Sequence, residues 1–205
     1  VWQAAQYEGL ICNWLEFVHS NQGGIEVGAG KTEIKSPPNI EATAFMAGLI
    51  HEHKISPPNT FTEMKEEEVR RYFQNGNALF ERNWAYAWPL HQSDDSPVQD
   101  KIGVTALPHF EKGTSSSTLG GWHIAINTYS DKKEQALALL KFVTAYEVQK
   151  RLALRLGWNP GRRDVYTDPE VLEKMPHLES LRNVFDNLAP RPNVPYYTLV
   201  SETLQ

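Results

Sequence analysis

Apolar residues at Tyr7, Leu10, Ile11, Trp14, Leu15 and Val18 recur three and four positions apart, which predicts an amphipathic helix over residues 2–20. Ser20-Asn21-Gln22-Gly23-Gly24 is a strong stop. Short β-prone runs at 25–27 and 32–34 then flank Gly28-Ala29-Gly30 and predict a hairpin. Pro37-Pro38-Asn39 opens a second helix, to about residue 54, with Ile40, Ala44, Ala47 and Ile50 as its inward positions, and Ser56-Pro57-Pro58-Asn59 closes it. Residues 63–74 read as a helix with Glu63, Glu66 and Glu67 early and Arg70 and Arg71 late. That order complements the helix dipole, so these charges are expected to form a solvated face. Strands are predicted at 78–80, after the turn Asn75-Gly76-Asn77, at 102–107, ending at Pro108, and at 119–126, where a glycine pair precedes Trp122. Helices follow at 132–144, with a stripe of Ala136, Leu139, Leu140 and Val143, and at 147–156. An irregular stretch over 157–168 leads to further helices at 169–174, 178–188 and 194–204. Short strands alternating with helices predict an α/β architecture, and no internal repeat is visible.

Composition narrows the function classes. The 205 residues are enough for a sizeable core, and 40% hydrophobic with 22% charged residues is the balance of a globular chain. No apolar run approaches the length of a membrane span. A net charge of −5 argues against an electrostatic grip on nucleic acid. With Cys12 alone, neither an internal disulfide nor a cysteine-based zinc site can form, and the seven histidines include no helical His-x-x-x-His pair, so no metal site is expected. The chain starts at Val1 without a methionine and reads as a processed product or a piece of a longer chain.

The candidate chemistry is aromatic. RNWAYAWPL, residues 82–90, carries Trp84, Tyr86 and Trp88 in a loop that follows a predicted strand. Trp and Tyr join a flat apolar face to a polar tip, which suits a ligand that is C–H on one side and hydroxyl at its rim, as a sugar is. The same rings would also serve as core filling. KGTSSST, residues 112–118, is a flexible polar crossing that delivers the chain to Gly120-Gly121-Trp122, and Arg191 stands between Pro190 and Pro192.

Five stretches, in order, carry a resemblance: VWQAAQYEGLICN (1–13), NGNALFERNWAYAW (75–88), IGVTALPHF (102–110), LGGWHIAINTYSDKKEQALALLKFV (119–143) and PRPNVPYY (190–197). Together they span nearly the whole chain, which resembles the later half of an extracellular solute-binding protein of a carbohydrate ABC transporter, similar to the trehalose/maltose-binding proteins. The resemblance implies a type II periplasmic-binding-protein-like α/β fold with two lobes and a sugar held between them. Residues 1–117 and 158–205 would belong to the C-terminal lobe, and residues 118–157 would be a crossover segment completing the N-terminal lobe, most of which would precede Val1.

Carried over by position, the resemblance places sugar contacts on Trp84, Tyr86, Gly121, Trp122 and Arg191, with Trp2 as a weaker candidate. Rings would stack on sugar faces, a glycine N–H would approach a hydroxyl, and the guanidinium would offer its fork of donors to vicinal hydroxyls. Trp14 and Trp88 are left as packing. The implied partners are a disaccharide or short oligosaccharide and the membrane permease subunits, with no cofactor. The setting is periplasmic or extracellular, with lipoprotein anchoring left open. A carbohydrate-active enzyme would also line a cleft with tryptophans, but it needs an opposed carboxylate pair, and Glu81, Asp94 and Asp95 show no arrangement that singles one out. An aromatic protein-interaction module is the third reading. The apolar stripe of 118–157 would need cover from the missing lobe, from another chain or from rearranged packing.

Overall fold

Helix α1 (Glu8–Ser20) is the element on which the rest is assembled, and Ile11, Cys12, Leu15 and Val18 are buried along its inward stripe in the computed structural model, which describes residues 1–28 and 31–205. The helix starts at Glu8, later than its periodicity suggests, because residues 2–5 are buried and non-helical. There Ala4 and Ala5 both donate their N–H to the Met64 carbonyl, at 3.1 and 3.2 Å. Strands β1 (Glu26–Gly28) and β2 (Lys31–Glu33) pair antiparallel in the predicted hairpin, with Val27 opposite Thr32. Ala29 and Gly30 of its expected turn lie outside the described residues.

Helix α2 (Pro37–His51) begins with the Ser36 hydroxyl accepting from Asn39 N–H and prolines in its first turn, as the sequence predicts. Its inward face differs from the expected one. Ala42, Met46 and Ile50 are buried with Asn39, whereas Ile40, Ala44 and Ala47 are exposed. α2 is apolar nearly all round, so periodicity could not choose the stripe. Asn39 chooses it: its side chain accepts from Gly24 N–H (2.9 Å) and donates to the carbonyls of Gly24 and Ile34 (both 2.7 Å), which sets the rotation of the helix.

After a 3₁₀ turn at Pro58–Phe61 comes α3 (Glu66–Gln74), which buries Val69 and ends at Gly76 with φ +76°, a conformation suited to glycine. Three predicted strands are not formed. Residues 78–80 include a bend at Leu79, and among the described residues only Val1 pairs beside them, donating to Phe80 O (2.7 Å) and accepting from Arg82 N–H (2.9 Å). Residues 102–107 form no regular element and have no ladder partner among the described residues. The run 119–126 is exposed instead of buried, with Trp122 fully exposed and Ile124 63% exposed. Only its start is paired: β3 (Ser117–Thr118) runs parallel to β4 (Leu188–Ala189), and Leu119 N–H reaches Ala189 O at 2.8 Å. A strand needs neighbours on its edges, and beyond Leu119 none is present among the described residues.

A short helix that periodicity did not reveal, α4 (Ala87–His91), folds the end of the aromatic stretch. Helices α5 (Lys133–Val143) and α6 (Tyr146–Leu156) lie close to their predicted ranges. α5 has no buried residue: Ala136, Leu140 and Val143 are partly covered, and Leu139 is exposed. α6 ends at Gly157 with φ +66°, where a Cβ would lie 2.4 Å from Pro89 Cβ, so only glycine lets the end of α6 meet α4. The irregular stretch contains a 3₁₀ turn at Arg163–Thr167, and Asp168 then caps α7 (Pro169–Lys174) by accepting from Glu170 and Val171 N–H. Ala153, Val165, Val171, Met175 and Leu178 form a second core, reached by α8 (His177–Phe185). The chain closes with α9 (Tyr197–Leu204), whose Leu204 packs against the α1 core.

Candidate functional site

The aromatic stretch is held by α3 on one side and α1 on the other. Trp84 Nε1–H donates to Glu66 Oε1 (3.2 Å), Tyr86 O–H donates to Glu67 Oε1 (2.8 Å), and Asn83 Nδ2 donates to the Glu66 carbonyl (3.1 Å). The early acids of α3, expected as a solvated face, therefore orient the two candidate sugar rings. The signal available in sequence was only that they stand in the first turn. Burial, then the Glu67 hydrogen bond, raises the Tyr86 phenol well above its ordinary range, so it stays a proton donor. Glu67 is itself held below the usual carboxylate range, first by its hydrogen bond from Arg70, at 2.8 Å.

Beneath Trp84 lies Arg82, with its guanidinium carbon 4.4 Å from the ring centroid. The guanidinium grips Glu16 on α1 with two bonds, Nε to Oε2 at 2.8 Å and Nη2 to Oε1 at 2.5 Å, and the pair is buried. Gly120 meets the ring's edge: a Cβ built there would lie 2.7 Å from Trp84 Cζ3. The structure thus brings residues 84 and 120 together across the β3 crossing, two positions before Trp122. Gly121 has open space beside it, and Trp122 projects into solvent.

Arg191 is anchored to α1 as well. Its Nη1 donates to Glu8 Oε1 at 2.9 Å, and Tyr197 O–H (2.7 Å) and Ser201 O–H donate to the same carboxylate. These three donors outweigh the burial of Glu8 and hold its carboxyl below the usual range, so an anion faces Arg191 at neutral pH. Glu8 is a further residue of this region that sequence reasoning passed over.

Trp2 has a different setting. Its ring is 7% exposed and packs 5.9 Å from Phe17, and Nε1 donates to Ser56 Oγ at 3.0 Å, which makes it a core residue with its polar tip occupied. Trp88 stacks on His177 with centroids 4.7 Å apart, and Trp14 donates to Thr43 Oγ1, both as packing. A groove of about 740 Å³ lies between α1 and α2 and is lined by Trp2, Trp14, Ile40, Ala47 and Phe61 among others. None of Trp84, Tyr86, Trp122 or Arg191 lines it. Of the acids considered for catalysis, Glu81 is hydrogen-bonded to buried His91 at 2.8 Å, while Asp94 and Asp95 are exposed. Among the described residues no three His, Cys, Asp or Glu side chains gather as a metal site, and no helix is long and apolar enough to cross a membrane.

Residues 3–150 match the family model described as bacterial extracellular solute-binding protein. The chain belongs to that family. It is 39% identical over 193 residues to a probable ABC transporter-binding protein of Deinococcus radiodurans, covering 94% of this chain and 45% of that one. It is also 32% identical over 165 residues to a probable amino-acid ABC transporter periplasmic-binding protein of Sinorhizobium fredii, covering 80% and 36%. Among solved structures, maltose-bound T. maritima MalE3 superposes with a TM-score of 0.92 at 46% identity, covering 100% of this chain and 52% of that one. A solute-binding protein from Agrobacterium radiobacter K84 in complex with ribitol shares the fold, with a TM-score of 0.85 at 23% identity and coverage of 100% and 52%. The fold is therefore the α/β fold of the type II periplasmic binding proteins. The chain spans about half the length of the relatives it matches.

Proposed function

We propose that this chain is the C-terminal half, mainly the C-terminal lobe with a crossover segment of the N-terminal lobe, of the sugar-binding component of an ABC importer, which takes a disaccharide or short oligosaccharide of the trehalose/maltose type and delivers it to the membrane permease. The observation that carries this reading is the pairing of Trp84, fixed at its nitrogen by Glu66, with the Gly120–Trp122 segment. A tryptophan held against a glycine-lined backbone offers an apolar face beside free peptide donors, the combination that suits a pyranose. Tyr86, Gly121, Trp122 and Arg191 complete the proposed contacts. The likeness to a maltose-bound structure at 46% identity supports the ligand class.

Residues 1–117 and 158–205 would form one lobe, with 118–157 crossing to the other. The unpaired backbone after Leu119 and the exposure of Ile124, Leu139 and Phe142 support this division. Such a receptor works by closing two lobes on its ligand and performs no chemistry on it, in a periplasmic or extracellular setting. Titration calorimetry of the intact protein with maltose, trehalose, sucrose, maltotriose and a panel of amino acids tests the reading. Tight binding of a disaccharide is the expected result. Binding of an amino acid with no response to any sugar would overturn it.

A further inference from the structure

Each guanidinium nitrogen of Arg82 makes a hydrogen bond at its edge, and the flat face is left for a ring. Its fork holds both oxygens of Glu16, Nη1 donates to Gln3 Oε1 (3.0 Å), its carbonyl accepts from Gln3 Nε2 (3.1 Å), and its N–H donates to Val1 O (2.9 Å). Gln3 is in turn held by Asn13 Nδ2, at 3.1 Å. A guanidinium pinned at its edge in this way cannot rotate, so the plane it presents to Trp84 is set by α1.

The same carboxylate acts on the far side of the ring. Glu16 Oε1 also accepts the Thr118 N–H at 3.0 Å, and Thr118 O–H donates to the Cys12 carbonyl at 2.8 Å, so β3 is tied to α1 at two points. Two residues later the backbone of Gly120 touches the edge of Trp84. Glu16 thereby fixes the face of the ring through Arg82 and its edge through Thr118, while Glu66 fixes its nitrogen.

We propose that Arg82, anchored by Glu16, is a positioning residue for sugar binding: it holds the Trp84 ring in its stacking orientation and reaches the ligand only through that ring. This inference rests on the sugar-binding reading. A fixed ring loses no rotamer freedom when a sugar arrives, and so retains more of the stacking free energy as affinity.

A double-mutant cycle in the intact protein tests it, using Arg82→Lys, which keeps the charge and discards the planar fork, with Trp84→Ala and the combined variant. Affinity for the disaccharide identified by the calorimetric panel and melting temperature are read for each. Arg82→Lys should weaken the sugar by about tenfold, the scale of a desolvated cation–ring contact, and by less than about twofold once Trp84 is already Ala, because its effect passes through the ring. Equal losses in both backgrounds, or a lowered melting temperature with unchanged affinity, would overturn the positioning role and leave Arg82 as a structural ion pair. Unchanged affinity in Trp84→Ala alone would instead overturn the sugar site itself. Should Arg82→Lys fail to fold, Glu16→Gln takes its place in the same cycle, with the same expected and overturning results.

Discussion

Trp84 Nε1 donates to Glu66 Oε1 at 3.2 Å across a turn, a loop and the whole of α3. The bond turns a ring that could have filled a core into one aimed by its polar tip, since a half-buried indole N–H needs an acceptor and the first turn of α3 supplies it.

Replacing that ring measures its contribution. Trp84→Ala in the intact protein should weaken disaccharide binding by about 1.5–3 kcal/mol, the worth of a large buried apolar side chain. That is roughly a ten- to hundredfold rise in Kd by calorimetry.

Gly120→Ala should weaken binding without removing any proposed contact. The new methyl would stand 2.7 Å from Trp84 Cζ3, so the ring must shift, and overpacking of this kind costs about 1–3 kcal/mol. Loss of affinity with a lowered melting temperature is the expected outcome, because the ring is held at its face by Arg82 and at its nitrogen by Glu66 and shifts only by straining those contacts.

Glu8→Ala should lower affinity through Arg191. The variant removes the acceptor of Arg191, Tyr197 and Ser201 together, so the guanidinium is freed to rotate. A several-fold loss of affinity is expected, about 0.5–1.5 kcal/mol for one immobilised side chain. Arg191→Ala should be at least as damaging, and calorimetry of the pair checks the order.

His177 predicts a pH dependence of stability. Its ring is buried on Trp88 with both nitrogens unpartnered, and desolvation pushes its pKa down from 6.5 to about 4. The unfolded chain then binds more protons than the folded one between those values, so stability is full above about pH 6.5 and falls as pH drops towards 4. The ceiling on the loss is about 3 kcal/mol. Denaturant melts of wild type and His177→Phe, which keeps a stacking ring, should lie closest at pH 7 and diverge as pH approaches 4.5, with only wild type losing this contribution.

The 205 residues expressed alone should self-associate. Trp122, Ile124, Leu139 and Phe142 are each more than 60% exposed on the 118–157 segment, beside backbone that lacks strand partners among the described residues. Exposed edges and apolar side chains together invite pairing between chains. Light scattering should show association that grows with concentration, and sugar affinity should be weak. A compact monomer that binds a disaccharide tightly would contradict the proposed assignment of 118–157 to a second lobe.

Helices with one dominant apolar stripe or a marked start were legible from sequence, because their determinants are local: the three-and-four spacing of α1, the Ser36 and proline start of α2, the charge order of α3. So was the order of the stretches that relate the chain to a binding-protein family, since motif order survives without coordinates. Which stripe of α2 faces inward was not legible, because both are apolar and a buried Asn39 decides between them by gripping Gly24, fifteen residues away. Strand patterns at 78–80, 102–107 and 119–126 were present without strands, since pairing depends on a neighbour that no local pattern supplies. Sequence likewise named Trp84 and Arg191 but not Glu66, Glu16 or Glu8, the carboxylates to which the ring, its underlying cation and the arginine are tied. An acid in a first turn reads the same whether it faces water or an indole nitrogen, and only the tertiary approach of α1, α3 and residues 82–86 tells the two apart.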